Sequence, residues 1–350
     1  MRFAFTEQQL EFRDAVRQVL DKECTPADLR AAYDAPAPRS ARWSTLVDLG
    51  VVGLTVPEQH GGLGLCILDL VPLLEEAGRA GLPEPLLETT ALAAPLLAAA
   101  GSRRAGSWLD RIAAGDATVA VAPVEPARGD VVAAAVGADL FVVHTVSAGR
   151  RPELHAVPAD QATVTPVASL DPTRRLGRVR WDPSPATLIA AGEEAHLAMA
   201  DLADRAAVGT AAELVGLADR MIALGAAYAK DRHQFGRPIG SFQAVKHLLA
   251  GAQVKLEFAR PVVYAAAWSL DGEEPDRSRS ASLAKAYASE AATEAARVAL
   301  QVHGAIGYTW ECDLQLFLKR AWALSEAWGS AADHRDRILA ALLDGRSAGS

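Results

Sequence analysis

The chain has 350 residues, half of them hydrophobic, and carries 43 acidic against 35 basic side chains for a formal charge of -8. That length allows one large core or two to three smaller domains. An acidic balance without any long basic block excludes nucleic acid as the main partner, and pairs such as Arg103-Arg104 and Arg174-Arg175 are too short to change that.

Three cysteines, Cys24, Cys66 and Cys312, lie far apart with no C-x-x-C pairing. They form neither a disulfide framework nor a zinc ligand set, and suit a reducing, cytoplasmic compartment. The eight histidines show no i, i+3 or i, i+4 pairing suited to a metal. His303 and Cys312 are not read as a base and nucleophile, because a small buried thiol is the default. The segment from Met1 to Thr6 enters a helical pattern at once, leaving no room for a secretory h-region. The most apolar stretch, Leu86 to Ala100, is broken by Glu88 and Pro95 and is too short to span a bilayer.

Thr6 and Gln9 form a capping-box pattern, followed by Phe12, Val16, Val19 and Leu20 at helical spacing. A second helix carries Trp43, Leu46, Val47 and Leu49 and stops at Gly50. Pro57-Glu58 leads into a glycine-dense loop, Gly61-Gly62-Leu63-Gly64. Apolar periodicity resumes from Ile67 to Leu74 and again over 86–100 and 107–113. Residues 1–115 therefore read as an all-helical domain. From about Thr118 the texture changes to short runs rich in β-branched and aromatic residues: 118–122, 140–144 and 179–181. Gly, Pro, Asp and Ser clusters separate them, the pattern of a small β-domain over 116–192. Long Ala/Leu-rich segments at 195–231, 242–270, 279–302 and 312–326 then read as an antiparallel helical bundle over 193–345.

This order of helices, strands and bundle resembles the acyl-CoA dehydrogenase family over nearly the whole chain, and implies an α+β multidomain fold of that type. Four segments carry the resemblance. They are the Pro57-to-Gly64 loop; Glu75-Glu76-Ala77-Gly78-Arg79; the run from Tyr228 through Arg232, Gln234, Phe235, Gly236 and Arg237 to Gln243; and Gln301-Val302-His303-Gly304-Ala305-Ile306-Gly307-Tyr308. The last two are the specific ones. An FAD diphosphate needs a permanent cation with amide or backbone donors, and guanidinium is a planar multi-donor clamp. The resemblance implies that Arg232, Gln234 and Phe235 reach the FAD of a neighbouring subunit. It also implies that Gln301 and Gly304 contact its adenosine diphosphate portion. Gln243 and His247 read as bundle or interface residues.

The resemblance also marks departures. Family members remove the α-proton of an acyl-CoA with a carboxylate while the β-hydrogen leaves as hydride to the flavin. Registered from the two motifs, the two positions where members carry that base are Trp328, before Gly329, and Ala206. Neither takes a proton. Glu326 and Glu213 are the substitutes to weigh, with Asp204 and Glu311 behind them. Glu311 also reads as a cap for the next helix. The middle domain echoes the family's flavin-ring loop only faintly, in Pro123 to Asp130.

Three functions follow from that pattern. The first is a subunit of a shared-site, α2β2-type acyl-CoA dehydrogenase whose different partner chain supplies the base. An electron-transfer flavoprotein, implied by resemblance, would reoxidise the FAD. The second is a self-sufficient homo-oligomer with Glu326 or Glu213 as a displaced base. The third is a catalytically silent structural subunit.

Overall fold

The computed structural model describes residues 4–37, 39–123, 131–146 and 151–347. Helices fill the first part of the chain: α1 (Glu7–Glu23), α2 (Pro26–Asp34), α3 (Ala41–Asp48) and α4 (Ile67–Ala80). A π-helical turn (Leu87–Ala93), α5 (Ala94–Ala100) and α6 (Arg103–Ala113) complete this part. The start of α1 is the expected capping box: Thr6 N–H donates to Gln9 Oε1 at 2.8 Å and Gln9 N–H to Thr6 Oγ1 at 3.2 Å. Thr25 and Asp28 repeat the device at α2, at 3.0 and 3.3 Å. In α3, Ser40 accepts from Arg42 N–H, and Gly50 follows the helix at φ 79°.

The chain divides into two compact units. The first comprises residues 1–19, 30–70 and 83–206. Its helical part is centred on Trp43 and Leu46, with the indole Nε1–H of Trp43 donating to the Gly115 carbonyl at 3.1 Å. The fully buried Thr89 and Thr90 satisfy backbone around the π-helical turn. Thr90 Oγ1 donates to Val52 O at 2.9 Å, and Val119 N–H donates to Thr89 Oγ1 at 3.1 Å.

The strands of this unit are β1 (Val119–Val121), β2 (Val131–Val132), β3 (Leu140–Val146), β4 (Pro152–Pro158), β5 (Ala162–Pro166), β6 (Gly177–Trp181) and β7 (Leu188–Ala191). They form a four-stranded sheet, β1-β3-β4-β7, with only β1 and β3 parallel, and an antiparallel three-stranded sheet, β2-β6-β5. Phe141, Val143, Val157, Val132 and Val179 fill the space they enclose. Of the Pro123-to-Asp130 stretch, everything after Pro123 lies outside the described residues.

The second unit comprises residues 20–29, 71–82 and 207–350. It contains most of α7 (Glu193–Asp231), then α8 (Gln243–Asp271), α9 (Arg277–His303), α10 (Leu314–Glu326) and α11 (Ala331–Ser347). The four long helical segments read from the sequence are α7 to α10; α11 is a fifth. Helix α9 packs against α8, α10 and α11, and its buried face is largely alanine: Ala281, Ala284, Ala288, Ala291, Ala292, Ala295, Ala296 and Ala299. Small side chains let these helices approach closely.

Closer still is the crossing of α4 and α7. A β-carbon on Gly78 would stand 2.0 Å from the Glu213 carbonyl oxygen, and one on Gly216 would stand 1.9 Å from that of Glu75. Only glycine fits on both sides of that crossing. Among the described residues no helix is long and apolar enough to cross a membrane.

Candidate functional site

Both specific motifs lie at one end of the second unit. Helix α7 ends at Asp231, and a two-residue ladder, β8 (His233–Gln234) with β9 (Arg237–Pro238), turns the chain towards α8. The turn residues Phe235 and Gly236 both have positive φ, 54° and 76°, the signature of a type I′ hairpin. Asparagine usually holds the first of these positions, so a phenylalanine there is strained. Its ring is 92% exposed and meets the edge of Phe242, at 6.1 Å between centroids. The Arg237 guanidinium lies over the Phe242 ring at 4.2 Å.

The second motif comes alongside through an aromatic stack. Tyr228, near the end of α7, lies on His303, the last residue of α9, with centroids 4.5 Å apart and planes 20° from parallel. Gly304, at φ 63°, then opens a 3₁₀ turn (Gly304–Tyr308). A β-carbon on Gly304 would meet nothing within 4 Å, so the backbone there is open to whatever approaches. Arg232, Gln234 and Gln301 are all exposed. Among the described residues the side chains of these three have no hydrogen-bond or ion-pair partner, so their donors are unengaged at one end of the bundle.

The turn between α10 and α11 is of the opposite kind. Trp328 has φ 57° and Gly329 φ 100°. Lys285 on α9 is fully buried, and its Nζ donates to Ser289 Oγ at 3.1 Å, Ser325 O at 3.0 Å and Gly329 O at 2.9 Å. Two of these acceptors are carbonyls that can only accept, so the set fits an ammonium using all three hydrogens. His334, also fully buried, makes a 2.9 Å bond from Nε2 to the Trp328 carbonyl. The carbonyl only accepts, which assigns the proton to Nε2 and leaves Nδ1 bare, without a hydrogen-bond partner. Burial, reinforced by the neighbouring Lys285 charge, holds the His334 pKa down to about 4 and keeps the ring neutral. Position 329 admits only glycine, since a β-carbon would stand 2.9 Å from His334 Nε2. Helix α11 then starts on a Ser330–Asp333 capping box.

The remaining sequence candidates are dispersed. Ala206 is fully buried in α7; Asp204 and Glu213, on the same helix, are half-buried. Glu213 carries the backbone carbonyl that faces Gly78. Glu326 is exposed at the last position of α10. Glu311 does not cap α10: the helix starts at Leu314, two residues later than a Glu311 cap would place it, and the cap position belongs to Asp313, with no side-chain cap bond. Gln243 and His247 are exposed on the first turns of α8. In the first unit, the Pro57-to-Gly64 loop borders a cavity of about 400 Å³ next to the His60–Asp110 pair, whose Nδ1 and Oδ1 are 2.8 Å apart.

Two buried polar clusters in the second unit have no counterpart among the sequence motifs. One is the Lys285–His334 set. The other joins Glu75 to Arg260 Nε at 2.9 Å and to the Tyr264 hydroxyl at 2.5 Å. Burial raises the Glu75 pKa even against those two partners. Among the described residues no group of three or more His, Cys, Asp or Glu is placed to hold a metal ion.

The described architecture is thus a helical domain, a small pair of sheets and a helical bundle with an exposed α7–α8 hairpin. Residues 6–116 match the model for the acyl-CoA dehydrogenase N-terminal domain, and residues 196–343 that for the C-terminal domain. Acyl-CoA dehydrogenase IpdE2 of Mycolicibacterium smegmatis is 34% identical over 339 residues, 96% of this chain and 99% of that protein. The ChsE4-ChsE5 complex from Mycobacterium tuberculosis superposes with a TM-score of 0.89 at 26% identity, covering 98% of this chain and 99% of that one. The Tcur3481-Tcur3483 steroid ACAD gives the same TM-score and identity over 97% and 99%. The chain belongs to the acyl-CoA dehydrogenase family, whose members are FAD-binding flavoproteins and oxidoreductases.

Proposed function

We propose that this chain is one subunit of an acyl-CoA dehydrogenase that desaturates an acyl-CoA thioester between Cα and Cβ, sharing its active site with a different chain of the same fold. One observation carries this reading. The side chains suited to an FAD diphosphate are exposed and unengaged at one end of the bundle, while both positions registered for a base hold groups that take no proton. Arg232 supplies a permanent planar cation, Gln234 and Gln301 supply amide donors, and the open backbone at Gly304 permits close approach. This donor set fits a diphosphate arriving from outside the chain.

Arg232, Gln234, Gln301 and Gly304 would hold the FAD, which would supply the acceptor for the hydride from Cβ. The α-proton needs a carboxylate in a water-poor pocket, and in this reading the partner chain provides it. Trp328 and Ala206 have no group that titrates near neutral pH. The ChsE4-ChsE5 complex, similar to this chain over nearly its full length, supports a two-chain assembly. Steroid thioesters are the first substrates to assay, given the similarity to the Tcur3481-Tcur3483 steroid ACAD. An electron-transfer flavoprotein is the electron acceptor in this scheme.

The test is the visible absorption spectrum of the purified chain, alone and co-expressed with a dehydrogenase-like neighbour. Flavin bands only in the co-purified pair are expected. Flavin bands and full turnover in the lone chain would refute the shared site.

A further inference from the structure

The first unit holds a cavity of about 400 Å³, lined by the Pro57-to-Gly64 loop and helices α5 and α6. That volume is at the small end of the roughly 300–1,000 Å³ typical of organic-ligand pockets. Part of the lining is apolar: Pro57, Leu97, Ala98 and Leu109. The polar part is braced from within. His60 Nδ1 lies 2.8 Å from Asp110 Oδ1, and an ionised carboxylate only accepts, so the proton sits on Nδ1. The ring rests against α6 at Gly106, where a β-carbon would stand 2.9 Å from His60 Cε1. Any side chain there would push the imidazole aside.

The groups left open in this lining are donors. Among the described residues no hydrogen bond or ion pair engages the Arg103 guanidinium or the Gln59 amide. Ser102 Oγ accepts from Ala105 N–H at 3.1 Å, which leaves its O–H to donate. Asp110 is the one acid among the described lining residues, and His60 occupies its Oδ1. Arg104, one residue on from Arg103, instead donates to the Ala186 carbonyl. A permanent cation with no counter-charge, set beside apolar surface, matches an anion that carries an apolar body. The planar fork of a guanidinium fits the two oxygens of a carboxylate.

We propose that this cavity binds a small carboxylic acid, with Arg103 holding the carboxylate and Pro57, Leu97 and Leu109 receiving the apolar body. Gln59 and Ser102 supply the further donors that a carboxylate's remaining lone pairs accept. The site belongs wholly to the first unit. Neither flavin motif contributes a residue to it, so it stands or falls separately from the shared-site reading.

The experiment titrates phenylacetate into the full chain by calorimetry. Saturable binding with a dissociation constant of roughly 1 mM or tighter is expected for a ligand of that size. Phenylacetamide, which keeps the shape but loses the charge, should bind about tenfold more weakly or worse. Arg103→Ala, at an exposed position, should keep the wild-type melting temperature and weaken phenylacetate by about tenfold or more. Arg104→Ala removes the same charge one residue on and should change the affinity by less than about threefold, because exposed charges are screened. Gly106→Ala, which displaces His60, should also weaken binding.

Heat that never saturates would overturn the site. So would equal losses in Arg103→Ala and Arg104→Ala, which would reduce the effect to general attraction between charges. Equal affinity for phenylacetamide would overturn the carboxylate class, as would inorganic phosphate binding more tightly than phenylacetate. Should Gly106→Ala fail to fold, the comparison of the two arginine variants still decides.

Discussion

The α7–α8 hairpin and the α10–α11 turn each hold a large aromatic residue at positive φ, but their surroundings are opposite. Around Phe235 the side-chain donors of Arg232 and Gln234 have no partner among the described residues, and the ring projects into solvent. Around Trp328 the carbonyls on either side are saturated by Lys285 and His334, both fully buried. The hairpin leaves its side-chain donors open among the described residues, whereas the turn meets its polar groups from within. Donors left open at a surface are available to another molecule, while carbonyls closed over by buried donors hold a backbone in one shape.

Breaking the closed side should have the largest effect on stability. Lys285→Met strands two buried carbonyls and is expected to lower unfolding free energy by about 3 kcal/mol, read from the urea midpoint. Arg232→Ala and Gln234→Ala should stay within about 0.5 kcal/mol of wild type in the same assay.

The next effect is pH dependence. His334 is held neutral down to about 4, whereas an unfolded chain takes up that proton near 6.5. The unfolded state therefore binds more protons between those values. The stability present above pH 6.5 should drain away as pH falls towards 4, by roughly 3 kcal/mol in total. His334→Gln should flatten this part of the profile, which pH-dependent urea melts would show. Smallest of all is the double variant Glu213→Gln with Glu326→Gln, expected to leave turnover of the co-purified pair unchanged. A loss of a hundredfold or more would return one of them to the role of base.

Much of this was legible in the chain because the signals are local. The capping box at Thr6 and Gln9, the stop at Gly50 and the four long bundle helices each depend on residues a few positions apart. The Thr25–Asp28 box before α2 was just as local and went unread, because its helix spans only Pro26–Asp34. The runs at 118–122, 140–144 and 179–181 correspond to β1, β3 and β6; β2 and β7 are two and four residues long, and β4 and β5 carry prolines at their ends that break the β-branched pattern.

The two motifs locate the open hairpin because their residues are contiguous in sequence. The Lys285–His334 set could not be read that way. Lys285 sits in an alanine-rich helix where a lysine looks like a solvated face, and two of its three acceptors are 40 and 44 residues away. Glu75 and Arg260, 185 residues apart, were hidden for the same reason.

If this chain offers its hairpin donors to a flavin shared with another chain, the flavin-to-protein ratio of the co-purified pair should fall when Arg232→Ala replaces the wild-type chain. Loss of one charge-assisted contact, about 1.5–3 kcal/mol, predicts flavin binding roughly 10- to 100-fold weaker with the pair still assembled. An unchanged ratio and affinity in the Arg232→Ala pair would contradict the claim and leave this chain a structural subunit.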